Sequence, residues 1–355
     1  MKKETQSITF KNQNFYVGID VHKKRWVVTI LHSGLSLKTF SMDPCPEQLK
    51  KYLYANYPQG TYHITYEIGF SGFWICRRFK QLGMDCIVVN SADIPTAHKE
   101  KDEKSDPVDS HKLARELEKG DLQSIYAPSE QIQHLRSLSR LYHHIVQNMT
   151  RVKNRIKGHL HYNGIKLPKH TSHWSNNFIL YLKTLDLDNG PGKECLLLLL
   201  EELHQHRKRL AITLQKLRHY VREYDFGTTL RNLMTIPGVG FKTAITLYTE
   251  IMDMNRFRNL DHIKSYVGLV PSTYTSGENS RDQSITNRRN KYLRYVLIEA
   301  AWVAISKDPV LLESYNKLIV RMKKQQAVIR VARKLLNRIR YVWLNNRPYV
   351  YGCIQ

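Results

Sequence analysis

The sequence predicts an α/β domain at the amino-terminal end and mainly helical domains beyond it, on three observations. Three strand-like runs come first, Phe15 to His22, Arg25 to His32 and Leu37 to Met42, separated by Lys23-Lys24 and by Ser33-Gly34. Helix and strand patterns then alternate as far as Asn90, and after about residue 126 apolar residues recur at spacings of three and four. Connections as short as the first two allow only antiparallel neighbours, whereas a helix between two strands makes a parallel crossover.

The elements follow in order. A helix from Pro46 to Asn56 leads to a strand, Tyr62 to Glu67, then to a helix from Ser71 to Leu82 stopped by Gly83, and to a strand from Asp85 to Asn90. Three antiparallel strands followed by alternating helix and strand is the order of a ribonuclease H-like fold, in which the first and fourth strands lie side by side. Asp20 then comes beside Glu67. Asp106 and Asp109 open the next helix, about Pro107 to Lys119, and their i, i+3 spacing puts both on one face. Four unpaired carboxylates repel one another and raise their own pKa values unless a cation sits among them, so their convergence implies Mg²⁺, with Mn²⁺ as the alternative. Taken singly, each has a simpler use. Asp106 before Pro107 fits an N-cap, Asp109 completes a capping-box pattern, Asp20 fits a turn cap and Glu67 fits a solvated position.

Composition supports a polyanionic partner. The 355 residues carry 55 Lys+Arg against 31 Asp+Glu, a net charge of +24, and neutralising phosphates releases counterions whatever the base sequence. A hydrophobic content of 42% excludes a disordered or fibrous chain. No stretch approaches the roughly 18 apolar residues of a membrane span. The longest run, Leu196 to Leu200, reads as a buried helix segment, and the polar start, Met1 to Asn14, lacks a signal peptide's apolar core, so a cytoplasmic protein is expected. Cys45, Cys76, Cys86, Cys195 and Cys353 have neither disulfide nor zinc spacing and read as ordinary thiols.

The expected divisions are a polar tail (1–14), a metal-binding domain (15–125), a long-helix coiled-coil domain (126–225) and a C-terminal domain (226–355). In the third, Leu138, Tyr142, Ile145, Met149, Val152, Ile156 and His159 form one heptad seam. A second seam, Leu203, His206, Leu210, Leu214, Leu217 and Val221, follows a polar connection around Asp186 to Gly192. The two helices can pair antiparallel within the chain or join two chains, and Arg151, Lys153, Arg155 and Lys157 fit RNA or DNA contact.

The C-terminal domain opens on Pro237-Gly238-Val239-Gly240 and a helix from Phe241 to about Met252. Gly238, Gly240 and Lys242 suit a helix-hairpin-helix-like element, in which glycines let backbone amides approach a phosphate; an ordinary Gly-rich turn is the plainer alternative. A stretch from Val267 to Gly277 leads into a polar loop with Arg281, Arg288 and Arg289, then a helix from about Asn290 to Ile305. An exposed serine among such cations suits a nucleophile. From the residues alone Ser272, Thr275, Ser276, Ser280 and Ser284 remain equal candidates, since no His and Asp spacing marks a triad.

The ordered motifs Gly18-Ile19-Asp20-Val21-His22, Tyr66-Glu67-Ile68-Gly69, Lys104-Ser105-Asp106-Pro107-Val108-Asp109, Pro237-Gly238-Val239-Gly240, Gly268-Leu269-Val270-Pro271, Ser276-Gly277 and Asn290-Lys291-Tyr292-Leu293-Arg294 resemble the DEDD-type transposases of insertion sequences, which are guided by a bridge RNA and related to Piv-type DNA invertases. The resemblance covers nearly the whole chain. It implies a RuvC-like metal site of Asp20, Glu67, Asp106 and Asp109, with Ser276 as the DNA-linking nucleophile. It further implies donor and target double-stranded DNA, a bridge-type guide RNA, and a dimer or tetramer in which the metal domain of one subunit meets the serine domain of another. Arg281, Arg288, Arg289, Lys291 and Arg294, with Gly238, Gly240 and Lys242, become expected nucleic-acid contacts in a bacterial or archaeal, nucleoid-associated protein. Ser105 and Ser110 depart from the more usual Thr and Ala, and Arg289 from the glycine common before the matched asparagine. A metal-only nuclease of Holliday-junction type and a noncatalytic nucleic-acid binder are the competing readings.

Overall fold

A computed structural model describes residues 9–95, 105–168, 174–187, 190–224, 226–276, 279–286 and 289–351, with only the backbone of 271–276 and 279–285. The chain divides into two compact units, Met1–Ala127 and Pro128–Gln355.

In the first unit, β1 (Asn14–Val21), β2 (Trp26–His32) and β3 (Leu35–Met42) form an antiparallel meander. Ser33 and Gly34 both take positive φ, 50° and 77°, which suits the tight turn joining β2 to β3. After α1 (Pro46–Asn56), β4 (Thr61–Glu67) returns parallel to β1, and after α2 (Trp74–Gln81), β5 (Asp85–Val89) lies parallel to β4. The sheet order is β3-β2-β1-β4-β5. Alternate residues separate its faces. Phe15, Val17 and Ile19 of β1, with Trp26, Val28 and Ile30 of β2, are buried in one core with Leu49 and Leu53 of α1 and Ile75 and Phe79 of α2. α3 (Asp106–Lys119) packs on β1 and β2, where Gly18 and Thr29 meet Ser110. α2 begins at Trp74 rather than at the expected Ser71, because Gly72, at φ 57°, places residues 69–73 in turns.

The second unit is largely helical. α4 (Glu130–Tyr162) and α6 (Pro191–Glu223) pack along their length, with α5 (Asn176–Thr184) between them in sequence. They run antiparallel: Val152, Ile156 and Leu160 share a core with Leu196, Leu200 and Leu203, while Leu135 and Tyr142 share another with Leu217 and Val221. Every residue of the two expected seams is buried or half-buried. The Leu196–Leu200 run is buried only at its two ends; Leu198 is 72% exposed, because a five-residue run spans more than one turn and must turn outward somewhere.

The larger core of this unit joins α7 (Gly227–Met234), α8 (Phe241–Ile251), α9 (Leu260–Val267), α10 (Lys291–Lys307), α11 (Pro309–Ile319) and α12 (Lys324–Asn345). Between α9 and α10 the expected polar loop is instead a two-stranded hairpin, β6 (Pro271–Ser276) with β7 (Asn279–Ile285). Cross-strand pairing supplies backbone bonds to a segment too polar to announce itself as a strand. Among the described residues no helix is long and apolar enough to cross a membrane.

Candidate active site

The first unit gathers the carboxylates by strand register. Ile19 stands opposite Tyr66 in the parallel β1–β4 pair, so Asp20 and Glu67 are the next residues on adjacent strands. The face of β1 that carries Asp20 also carries Gly18, and there α3 comes to unusually close range. A Cβ built on Gly18 would lie 2.1 Å from the Ser110 carbonyl oxygen and 2.5 Å from the Ala114 nitrogen. Ser110 pairs its buried hydroxyl with that of Thr29 at 2.8 Å. With α3 so seated, Asp20, Glu67, Asp106 and Asp109 all line one open cleft of about 430 Å³, together with His22, Ser105 and residues 68–71.

Asp106 is not the helix cap. Ser105 occupies that position, while the Asp106 carboxylate accepts from the Arg25 guanidinium at 2.9 Å and lies 3.4 Å from His22 Nε2. His22 Nε2 is also 3.0 Å from Asp20 Oδ2. Burial pushes the Asp20 pKa up; His22 offsets part of this, and Asp106 and Asp109 add to it. The Arg25 hydrogen bond holds Asp106 below the usual carboxylate range, with His22 helping. Asp20, His22 and Asp106 present ligand atoms within 4.8 Å of one another.

This donor set fits a divalent ion. The carboxylate oxygens suit Mg²⁺ or Mn²⁺, and a cation would offset the Asp106 and Asp109 charges that add to the effect of burial on Asp20. In the sequence His22 stands out only as part of a motif and Arg25 only as the start of a strand. Their signal is the basic run His22-Lys23-Lys24-Arg25 that begins two residues after Asp20.

In the second unit the Gly-rich turn has a packing reason. Gly238 sits at φ 82°, where an added Cβ would lie 2.2 Å from the Ala300 carbonyl oxygen of α10. Gly240 is exposed at the N-cap of α8 with open space around it. Lys242 is exposed, its ammonium 5.4 Å from the Tyr142 ring centroid.

Ser276 is the last residue of β6, paired across the hairpin with Asn279, and Arg281 pairs with Tyr274. Gly277 and Arg288 lie outside the described residues. Arg289 and Lys291 are exposed. Arg294 is half-buried and holds the hairpin's two roots, donating to the Gly268 carbonyl and, at 2.6 Å, to the Thr286 carbonyl. Burial, with Arg289 adding, lowers its pKa to about 10. Asn290 caps α10 through the Tyr292 and Leu293 amides and donates to Glu250 at 2.7 Å. Glu250, which the sequence reading passed over, is buried and takes a two-pronged bond from Arg140 of α4 at 2.6 and 2.8 Å.

Residues 17–163 match a family described as transposase of the DEDD, IS110 type, and residues 230–316 match the transposase IS116/IS110/IS902 family. A putative transposase of Sinorhizobium fredii, y4qE, is 25% identical over 293 residues, covering 81% of this chain and 71% of that protein. The transposase for insertion sequence element IS1533 of Leptospira borgpetersenii is 26% identical over 297 residues, covering 81% and 84%. A pilin gene-inverting protein of Moraxella bovis is 36% identical over 124 residues, 33% of this chain and 37% of that protein.

Proposed function

This chain belongs to the DEDD-type IS110 transposases, DNA transposase/recombinase enzymes, and from that premise we propose that it cuts and rejoins DNA by metal-dependent transesterification, with Ser276 as nucleophile and a bridge RNA as guide. The observation that carries the reading is the meeting of Asp20, Glu67, Asp106 and Asp109 in one cleft.

These four carboxylates would hold Mg²⁺ or Mn²⁺, which supplies Lewis-acid polarisation of the scissile phosphate. Arg25 and His22 fix the Asp106 carboxylate, so the cleft is ordered before DNA arrives. The Ser276 oxygen forms a new ester to phosphorus as one DNA phosphodiester bond breaks, and the serine's proton passes to the departing oxygen. A DNA hydroxyl later reverses the exchange. One ester replaces another, so no nucleotide hydrolysis is needed, and the sequence has no G-x-x-x-x-G-K-[ST] loop. Arg281, Arg288, Arg289 and Lys291 would neutralise phosphate charge, with Gly240 and Lys242 as further contacts. Gly238 and Arg294 would act instead through packing and through the hairpin's roots. The two chemistries would come together in a homo-oligomer, dimer or tetramer.

The test mixes protein, Mg²⁺, element-end and target DNA and flanking transcripts, and resolves the products on a denaturing gel. A metal-dependent protein-DNA adduct that disappears in Ser276→Ala and in Asp20→Asn supports the scheme. Strand cutting without adduct, unchanged in Ser276→Ala, removes the serine step and leaves a metal-only nuclease.

A further inference from the structure

The cleft wall beside Glu67 carries groups that metal binding does not use. Phe70 lines the cleft and yet is 64% exposed. It belongs to the turn between β4 and α2, which is tied down by the Gly72 amide donating to the Gly69 carbonyl at 3.1 Å and by the Tyr66 hydroxyl donating to the Gly72 carbonyl at 2.8 Å. The ring therefore stands in water on a pinned turn. Lys23 Nζ lies 5.9 Å from its centroid. An exposed ring gains nothing from water, and a ligand with a flat apolar face covers it. An anion beside that face would suit Lys23.

We propose that the Phe70 turn is a subsite for an unpaired nucleobase next to the phosphate held at the carboxylates. The base stacks on Phe70, and Lys23 meets the flanking phosphate. Bases in an intact duplex are stacked on both faces, so the subsite selects locally melted DNA, and stacking does so without regard to base identity. The inference rests on the proposed function only for the identity of the cleft as the place where DNA is cut.

Binding is measured with Ca²⁺ in place of Mg²⁺, on a duplex and on a matched bubble carrying 2-aminopurine at one unpaired position. The wild-type protein should prefer the bubble about tenfold and quench the probe. Phe70→Ala should lose both effects, Phe70→Trp should keep them, and thermal unfolding should be unaltered because the ring is exposed. Equal affinity of wild type for bubble and duplex, or preference and quenching that survive Phe70→Ala, overturns the subsite. Bubble preference in a wild-type protein that cuts no strand with Mg²⁺ or Mn²⁺ would sink the proposed function and leave the subsite standing.

Discussion

Gly18 and Ser110 approach so closely that a Cβ on the glycine would come within 2.1 Å of the serine's carbonyl oxygen. Backbone against backbone, neither side can yield as a flexible side chain would. This contact sets α3 on β1, and through α3 it sets where Asp106 and Asp109 stand relative to Asp20.

Gly18→Ala should accordingly lift α3 and cost about 3 kcal/mol, at the upper end for overpacking. The signature is a joint loss: a lower urea midpoint and weaker stabilisation by Mn²⁺ in thermal melts. Gly158→Ala is the contrast, since that glycine lies inside α4 with nothing within 4 Å, and it should gain about 1 kcal/mol. Unchanged metal stabilisation in Gly18→Ala would show that the helix seat does not govern the cleft.

How far the sequence revealed this site depends on which forces were local. The strand order was readable because connections this short forbid anything but antiparallel neighbours, and from it came the pairing of Asp20 with Glu67. The closeness of α3 was not readable, since Gly18 looks like any strand glycine until a helix is known to lie on it. Glu250 was hidden for a related reason. It sits in an apolar helix, Phe241 to Ile251, and its partners Arg140 and Asn290 come from 110 and 40 residues away in sequence. The helices over 309–319 and 324–345 went unassigned, although Val328, Val331, Leu335, Ile339 and Val342 recur at spacings of three and four and are all buried.

Glu250→Gln tests the interior network. The variant keeps the shape and loses the charge that Arg140 pairs with. Arg140 retains 40% exposure and can be partly resolvated, so the expected cost is about 2 kcal/mol, below the range for a fully buried pair. Because Asn290 loses part of its anchor, the α10 N-terminus should also show faster amide exchange at Tyr292 and Leu293. A loss of stability without that local change would mean that Asn290 is held by the backbone cap alone.

Asp308 should govern part of the acid stability. Burial alone would raise its pKa, but the Tyr349 hydroxyl, the Leu311 amide and the Arg338 guanidinium together hold it below the usual carboxylate value. A depressed folded pKa gives stability that is present above the unfolded value, about 3.9, and is lost as pH falls through the folded one. Asp308→Asn should cost about 3 kcal/mol at neutral pH by leaving Arg338 unpaired, and should flatten the acid limb of the unfolding profile below about pH 4. Tyr349 acts at the other end: burial first, then its bond to Asp308, raises its pKa to about 12. Its contribution is therefore lost as pH climbs through that value. A variant whose acid limb runs parallel to wild type would place the acid sensitivity elsewhere.

Arg294 separates positioning from binding. The sequence suggested a phosphate contact, but its guanidinium reaches the carbonyls of Gly268 and Thr286, one on each side of the β6–β7 hairpin that ends in Ser276. Both bonds leave from one guanidinium nitrogen, Nη2, at the end of a half-buried side chain. Lysine keeps the charge but is one bond shorter and carries it as a strongly hydrated ammonium. If the proposed serine step holds, Arg294→Lys should lower the rate of adduct formation about tenfold, the equivalent of about 1.4 kcal/mol, while DNA affinity and its salt dependence stay near wild type. A true phosphate contact would give the reverse pattern in Arg294→Gln: weaker binding across all sequences and a salt slope shallower by about one unit. The two measurements together decide which role the side chain has.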